Sequence, residues 1–292
     1  MKRVVTIQDL SCIGKCSTTV AVPLISIAGC ECAVLPTAVL STHTKFQGFT
    51  FRDLTQDIPG IVAHWKKEGF RFDAIYTGYL GSFEQLRLVS DFIDDFRTPT
   101  TLVIVDPVMG DNGRLYPGFT PEFAVAMGKL CGKADIIVPN LTEAAFMLEE
   151  PWRGGVRSEE EVRKILGKLC GLGAKKAVLT GVSFAPDRLG VMGLDSSDGE
   201  FFSYFHRRLD ASFDGTGDLF ASTLTGACMM GKPLLEALTV AADFTAECME
   251  ITLQNPDHVD YAVEFERAIP YLVDRLYGTG RQTSERRQSC TD

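Results

Sequence analysis

A short glycine-containing segment has the composition of an anion-binding turn. Gly215-Thr216-Gly217-Asp218 follows a loop and leads into the apolar run Leu219-Phe220-Ala221. Two glycines separated by one residue allow successive backbone N–H groups to face one anion, and a helix N-terminus favours negative charge. Taken alone, the same pattern also fits a glycine-rich helix cap in which Asp218 complements the helix dipole. The segment is therefore a candidate phosphate site that needs support from elsewhere in the sequence.

A second candidate segment, Asp106-Pro107-Val108-Met109-Gly110-Asp111, follows the apolar run Leu102-Val103-Ile104-Val105. An apolar run without alternation is typical of a strand buried on both faces of a parallel sheet. In open α/β sheets, ligands bind outside the carboxyl ends of such strands. Asp106 and Asp111 fit a hydrated Mg²⁺, which prefers one or two carboxylates together with substrate phosphates. The alternative is an Asp-Pro turn with two solvated carboxylates.

A third segment, Val138-Pro139-Asn140-Leu141-Thr142-Glu143, has the same order of strand, turn and helix. It brings the amide of Asn140 and the carboxylate of Glu143 to the same predicted edge of the sheet. Helix capping by itself explains Asn140 or Thr142, and Glu143 also fits a helical first turn. Because three polar segments each follow a strand, their combination predicts one shared site.

The elements that must position these segments alternate along the chain. Capping patterns at Thr120-Pro121 and at Ser158 with Glu161 mark two helix starts. A hairpin loop at 195–199 separates two late strands, and three helical segments close the chain. This order predicts an α/β fold in which helices cover a mostly parallel sheet. The predicted strands are 4–8, 32–39, 73–78, 101–106, 135–139, 177–180, 188–194 and 200–205.

The chain shows one break in composition. No linker or internal repeat divides residues 1–277, which favours one domain over this range. From Gly278 onward the sequence is polar and without periodicity. We therefore expect residues 278–292 to form a disordered tail.

Composition excludes several classes of protein. A net charge of −9 argues against a nucleic-acid partner, since binding to a phosphate backbone needs a clustered basic surface. The longest apolar runs are far shorter than the roughly 20 residues of a membrane-spanning helix, and no signal-peptide core follows Met1. Nine cysteines in apolar contexts favour reduced, buried thiols over a disulfide framework. We expect a cytoplasmic protein without a membrane or nucleic-acid partner.

Together these segments resemble the ribokinase-like kinases and, within them, the pyridoxal/pyridoxamine kinases that make vitamin B6 phosphates. The segments at 106–111 and 215–218 mark the superfamily, whereas His43-Thr44 and Thr77-Gly78-Tyr79 point to the B6 branch. The resemblance covers essentially the whole body of the chain. It implies a three-layer α/β/α sandwich with a mostly parallel central sheet and a C-terminal hairpin edge, a kinase domain at 1–277, and a homodimer.

The resemblance also implies an activity, which is ATP-dependent phosphorylation of the 5′-hydroxymethyl group of a B6 vitamer. Asp218 would deprotonate that hydroxymethyl group while the N–H groups of residues 215–217 neutralise the transferring phosphoryl group. The implied cofactor is Mg²⁺ with ATP, and a requirement for a monovalent cation stays open. The remaining assignments are Asp106, Asp111 and Glu143 around Mg²⁺, Asn140 and Thr180 at the nucleotide phosphates, Tyr116 beside the nucleotide, and Asp9, Ser11, His43, Thr44 and Tyr79 around the vitamer.

Two positions depart from the family pattern. Many members have serine after Ile-Gln at the first strand end, where this chain has Asp9 followed by Ser11. Asp9 would pair with a protonated ring nitrogen or an amine, which leaves the preferred vitamer open. Lys45-Phe46-Gln47 replaces the small residues expected in the loop that covers the site.

Three other functions stay open at this point. A hydroxymethylpyrimidine kinase of the same superfamily takes a similar alcohol, but its usual glycine- and serine-rich first loop is missing here. A sugar kinase generally has a β-sheet lid after the first strand, and the sequence here predicts no such lid. A non-catalytic vitamer-binding protein would keep the fold and lose the base, whereas Asp218, Asp106 and Glu143 are all present.

Overall fold

The structure is a computed structural model that describes residues 1–278. It contains eleven strands and nine helices over these residues. The strands are β1 Arg3–Ser11, β2 Glu31–Leu40, β3 Phe51–Asp53, β4 Ala74–Thr77, β5 Leu102–Val105, β6 Gly110–Asp111, β7 Arg114–Leu115, β8 Ile136–Ile137, β9 Lys176–Val182, β10 Arg188–Asp195 and β11 Phe201–Arg207. The helices are α1 Thr18–Ile27, α2 Ile58–Lys67, α3 Phe83–Phe96, α4 Pro121–Cys131, α5 Leu141–Met147, α6 Glu159–Gly171, α7 Thr216–Met229, α8 Leu234–Gln254 and α9 Phe265–Tyr277.

Nine strands form the central sheet in the order β11-β10-β9-β8-β5-β4-β1-β2-β3. The six strands from β9 to β2 in this order pair in parallel, whereas the β10–β11 hairpin and β3 are antiparallel at the two edges. The parallel strands place their carboxyl ends along one edge of the sheet. The predicted three-layer sandwich with a C-terminal hairpin edge is confirmed.

Two hydrophobic cores lie on the two faces of this sheet, because successive strand residues point to opposite sides. Val4 and Ile104 pack with α1, α7, α8 and α9 on one face. Their neighbours Val5 and Val103 pack with α3, α4 and α6 on the other face. Burial on both faces accounts for the unbroken apolar runs of the central strands.

Two short pairings were not predicted from the sequence. All three residues of β3 are exposed, so the strand has no apolar alternation to indicate it. The β6–β7 hairpin turns through Asn112 and Gly113, which have φ angles of 49° and 77°. Two left-handed residues in sequence match the right-handed twist of a tight hairpin.

Local sequence fixes where the helices begin. Thr120 and Ser158 accept backbone N–H groups as predicted, and Asn140 with Glu143 completes a capping box at α5. The expectation of a disordered tail covers residues 278–292. The structure describes Gly278, which is the C-cap residue of α9, and residues 279–292 lie outside the described part of the chain. The described cysteines are free thiols, and one of them, Cys12, is exposed rather than buried. No helix within residues 1–278 combines the length and apolar character needed to cross a membrane.

Candidate active site

The anion turn predicted from the sequence lies at the start of α7. Gly215 is the N-cap residue, with a φ of 78°, and no side chain caps the first-turn N–H groups. A Cβ atom at this position would stand 2.4 Å from the carbonyl oxygen of Lys15, so both the conformation and the close approach require glycine. The first-turn N–H groups are therefore available to a ligand anion.

Asp218 lies in the first turn of α7 and is partly buried. Burial raises the pKa of its carboxyl group to about 7; the nearby charge of Asp9 adds to this effect, while the backbone of Ser17 opposes it. A carboxylate with a pKa near neutrality is suited to act as a general base, because it is both available and basic enough at physiological pH.

Polar side chains at the end of β1 lie near Asp218. Asp9 is 4% exposed, and its Oδ2 accepts a hydrogen bond of 2.8 Å from Ser11 Oγ. Burial raises the pKa of Asp9, although hydrogen bonds from Ser17 and Ser11 oppose the shift. Burial also raises the pKa of Tyr79, and the charge of Asp9 contributes. The structure thus brings the predicted vitamer residues Asp9, Ser11 and Tyr79 to the same side of the site as Asp218.

An aromatic cluster joins the loop after β2 to the segment after α8. The ring of His43 lies 5.0 Å from Phe46 and 5.9 Å from Tyr261, measured between ring centroids. Burial lowers the pKa of His43, which favours the neutral ring. The Nε2 atom of His43 has no hydrogen-bond partner among the described residues. Thr44, the next predicted vitamer residue, is exposed.

Lys45 connects this loop to the anion turn. Its Nζ lies 3.0 Å from Asp214 Oδ2 and donates to the carbonyl oxygen of Asp260 at 3.2 Å. Asp214 directly precedes Gly215, so the loop after β2 is joined to the candidate anion turn at the start of α7. The departure from the family pattern at residues 45–47 therefore supplies a contact between two parts of the site.

Two buried carboxylates lie at the ends of neighbouring strands. Asp106 is 5% exposed and Glu143 is 4% exposed. Glu143 accepts backbone N–H groups from Met109 at 3.2 Å and from Asn140 at 2.8 Å. Burial raises the pKa of Glu143 to about 8. The pKa of Asp106 is well above its usual range because of burial, with the charges of Glu143 and Asp218 adding to it.

The predicted magnesium ligands Asp106, Asp111 and Glu143 differ in burial. Within residues 1–278, no group of three or more acidic, His or Cys side chains is arranged to hold a metal ion. Asp111 is exposed and accepts a hydrogen bond from Asn112, so the three predicted ligands do not form an all-protein cage. A buried, adjacent pair such as Asp106 and Glu143 is costly without a cation. The pair fits Mg²⁺ that takes its other ligands from water and phosphate.

The residues predicted to bind the nucleotide are Asn140, Thr180 and Tyr116. Asn140 and Thr180 are joined by a backbone bridge between the ends of two strands. Asn140 Nδ2 donates to the carbonyl oxygen of Gly110 at 2.8 Å, while its Oδ1 caps α5. Tyr116 is 40% exposed, and burial together with the charges of Glu143 and Asp111 raises its pKa. A pocket beside Asn140 and Thr180 also includes Trp152, Arg153 and Arg208, which sequence reasoning missed.

Comparison with known proteins shows which chains share this arrangement. Residues 25–262 match the family model described as phosphomethylpyrimidine kinase. A candidate phosphomethylpyrimidine kinase from Bacteroides thetaiotaomicron, solved in a crystal form with pyridoxal, is 40% identical with a TM-score of 0.88, over 93% of this chain and 95% of that chain. The pyridoxal kinase of Lactobacillus plantarum is 31% identical with a TM-score of 0.85, over 94% and 97% of the two chains. A pyridoxine/pyridoxal/pyridoxamine kinase of Bordetella avium is 27% identical over 85% of each chain.

Proposed function

This chain belongs to the phosphomethylpyrimidine kinase family, and on that premise we propose that it transfers the γ-phosphoryl group of ATP to the 5′-hydroxymethyl group of a B6 vitamer. The observation that carries the proposal is the position of Asp218, in the uncapped first turn of α7 and close to Asp9, which is in turn close to Tyr79. The relatives named as pyridoxal kinases confirm the sequence-based prediction of a kinase of this group.

The proposed reaction assigns one task to each part of the site. Asp218 accepts the proton of the hydroxymethyl group as its oxygen attacks the γ-phosphorus. The bond between that phosphorus and the bridging oxygen of ADP breaks, and ADP leaves. The N–H groups of residues 215–217 stabilise the negative charge of the transferring group. Asp106 and Glu143 would hold Mg²⁺, which would supply positive charge to the phosphates when bound.

A second candidate acceptor is a hydroxymethylpyrimidine. The description of the matching family names a pyrimidine kinase, and this acceptor carries the same primary alcohol on a heteroaromatic ring. The relative that contains pyridoxal favours the vitamer.

The acceptor is tested by coupled measurement of ADP release with Mg²⁺ and ATP. The panel contains pyridoxal, pyridoxamine, pyridoxine, hydroxymethylpyrimidine and ribose. We expect at least one B6 vitamer to have a kcat/KM above those of both other alcohols. A preference for hydroxymethylpyrimidine would select the second candidate. Thermal stabilisation by a vitamer without turnover of any alcohol would favour a binding protein.

Several finer properties stay predictions from the sequence and from the family resemblance. These are Mg²⁺ as the metal, a monovalent cation as an open requirement, a single kinase domain at 1–277, a homodimer and a cytoplasmic location. The two hydrophobic cores on one sheet support the single domain. Light scattering coupled to size-exclusion chromatography tests the dimer, and metal-depleted assays test both cations.

A further inference from the structure

The pocket beside Asn140 and Thr180 has a distinctive charge pattern. Its described lining includes Thr142 and Thr180 hydroxyl groups, the Asn140 amide, and two cationic side chains, Arg153 and Arg208. Arg153 comes from the loop 151–157 between α5 and α6, whereas Arg208 directly follows β11. Two distant parts of the chain thus deliver a guanidinium group to the same pocket.

The rest of the site is strongly acidic. Asp106 and Glu143 are buried at the strand ends beside the pocket, and Asp218 stands at the start of α7. A nucleoside triphosphate brings several more negative charges into this environment. The first-turn N–H groups of α7 and a magnesium ion offset part of that charge. Guanidinium groups offset the remainder well, since their planar donors match two phosphate oxygens at once.

Both arginines are available for such contacts. No carboxylate within residues 1–278 forms an ion pair with Arg208, which is exposed. Arg153 has one acidic neighbour, Glu161, with 3.9 Å between Nη1 and Oε1, and both side chains of this pair are exposed to water. A pair of this length and exposure contributes little to stability and competes weakly with a phosphate group.

Trp152 holds the loop of Arg153 against the carboxylate hairpin. Its ring packs so closely on Gly113 and Gly154 that added Cβ atoms would lie 2.6 Å and 2.7 Å from it. Gly113 is in the β6–β7 turn, whose N–H donates to Thr142 Oγ1 at 2.9 Å, and β6 carries Asp111. The position of Arg153 is therefore linked to that of the Asp111 hairpin.

We propose that Arg153 and Arg208 bind the phosphate chain of the nucleotide, and that Trp152 is a positioning residue that keeps Arg153 in register with the β6–β7 hairpin. The identity of the nucleotide as ATP rests on the proposed function. The guanidinium pair fixes the direction from which the phosphate chain approaches the anion turn at residues 215–217.

Calorimetric titration with Mg²⁺ and a non-hydrolysable ATP analogue tests the two arginines. Arg153→Gln and Arg208→Gln should each weaken nucleotide binding by about 10-fold or more, because each removes a charge-assisted hydrogen bond. The matched control is Arg207→Gln, since Arg207 is the exposed neighbour of Arg208 and does not line the pocket. The KM for pyridoxal should stay unchanged in all three variants. Nucleotide affinities equal to that of the parent in both pocket variants would overturn the proposal.

Fluorescence tests the position of Trp152, because the chain has two tryptophans and Trp65 packs with Phe72 and Phe92 in a separate core. The emission change on adding the nucleotide analogue should persist in Trp65→Phe and disappear in Trp152→Phe. A change carried by Trp65 alone would contradict the assignment.

The outcomes separate this proposal from the proposed function. If the parent binds the nucleotide through the arginines and phosphorylates no vitamer, the phosphate contacts stand and the vitamer assignment fails. If the parent phosphorylates pyridoxal while both arginine variants keep their nucleotide affinity, the function stands and the arginine assignment fails.

Discussion

At the residue scale, the site depends on carboxyl groups whose surroundings oppose their ionisation. The charge of Asp9 helps to raise the pKa of Asp218, and burial is the largest cause of the raised pKa of both carboxyl groups. Only Asp218 also stands in the first turn of a helix, where the dipole and free N–H groups attract the phosphoryl group. Position therefore distinguishes the base from its neighbour.

The pH dependence of turnover follows from Asp218. A base must be ionised to accept a proton, and the pKa of Asp218 is about 7. We expect kcat/KM to rise with pH through about 7 and then level off. Because the charge of Asp9 helps to raise that pKa, Asp9→Asn should move the rising limb to lower pH. Asp198→Asn, in an exposed hairpin loop, is the control and should leave the limb in place. A limb that moves to higher pH in Asp9→Asn would contradict this coupling.

The candidate base could be predicted from the sequence, whereas its environment could not. Glycines at 215 and 217 and an acid at 218 are visible in the chain, and parallel strands bring the Asp106 and Asn140 segments to one edge. The approach of Ser17 to Asp218 depends on a left-handed backbone at Ser17, with a φ of 50°. No local pattern signals such a conformation in serine.

At the element scale, three segments from distant parts of the chain contact one another beside the glycine turn at the start of α7. The loop after β2 supplies His43, Lys45 and Phe46, the segment after α8 supplies Tyr261, and the segment before α7 supplies Asp214. The Lys45–Asp214 pair was unpredictable from sequence, because its partners are 169 residues apart and neither belongs to a periodic pattern. Strand β3, which continues from this loop, was missed because its residues are exposed.

Removing the Lys45 contact should loosen the covering loop. In Lys45→Ala we expect the KM for pyridoxal to rise about 3- to 10-fold, because the lost ion pair is exposed and contributes modestly. The affinity for the nucleotide should stay within about twofold of the parent, since Lys45 contacts Asp214 and Asp260 and makes no described contact with residues 215–217. Lys67→Ala, at the exposed end of α2, is the matched control. Steady-state kinetics with each substrate varied separately measures both effects, and a rise confined to the nucleotide KM would refute the assignment.

At the scale of the whole molecule, one sheet supports the site from two hydrophobic cores. The strands enter these cores with apolar residues on both faces, so the polar residues of the strands are concentrated at their carboxyl ends. This arrangement holds the site residues in place but lowers the stability of the folded state, since Asp9, Asp106 and Glu143 are buried with raised pKa values. The net charge of −9 adds to the repulsion.

Neutralising the base should therefore stabilise the fold. The folded pKa of Asp218 is about 7, above its ordinary value of 3.8, so the folded state retains a proton that the unfolded state releases between these values. The contribution of Asp218 to the free energy of unfolding therefore falls as the pH rises from 3.8 to about 7. Above about pH 7 the ionised carboxylate destabilises the folded state to its full extent. Asp218→Asn should raise the Tm by about 2–6 °C at pH 8 and by much less at pH 5. Calorimetry measures both values, and a lower Tm at pH 8 would contradict the cost assigned to this carboxylate.

The central claim is that Asp218 is the base of a phosphoryl transfer, and the kcat of Asp218→Asn with pyridoxal, Mg²⁺ and ATP tests it most directly. We expect kcat to fall by a factor of roughly 10² to 10⁴, with the affinity for the ATP analogue retained. Asp198→Asn should keep the kcat of the parent. A kcat of Asp218→Asn close to that of the parent would contradict the claim.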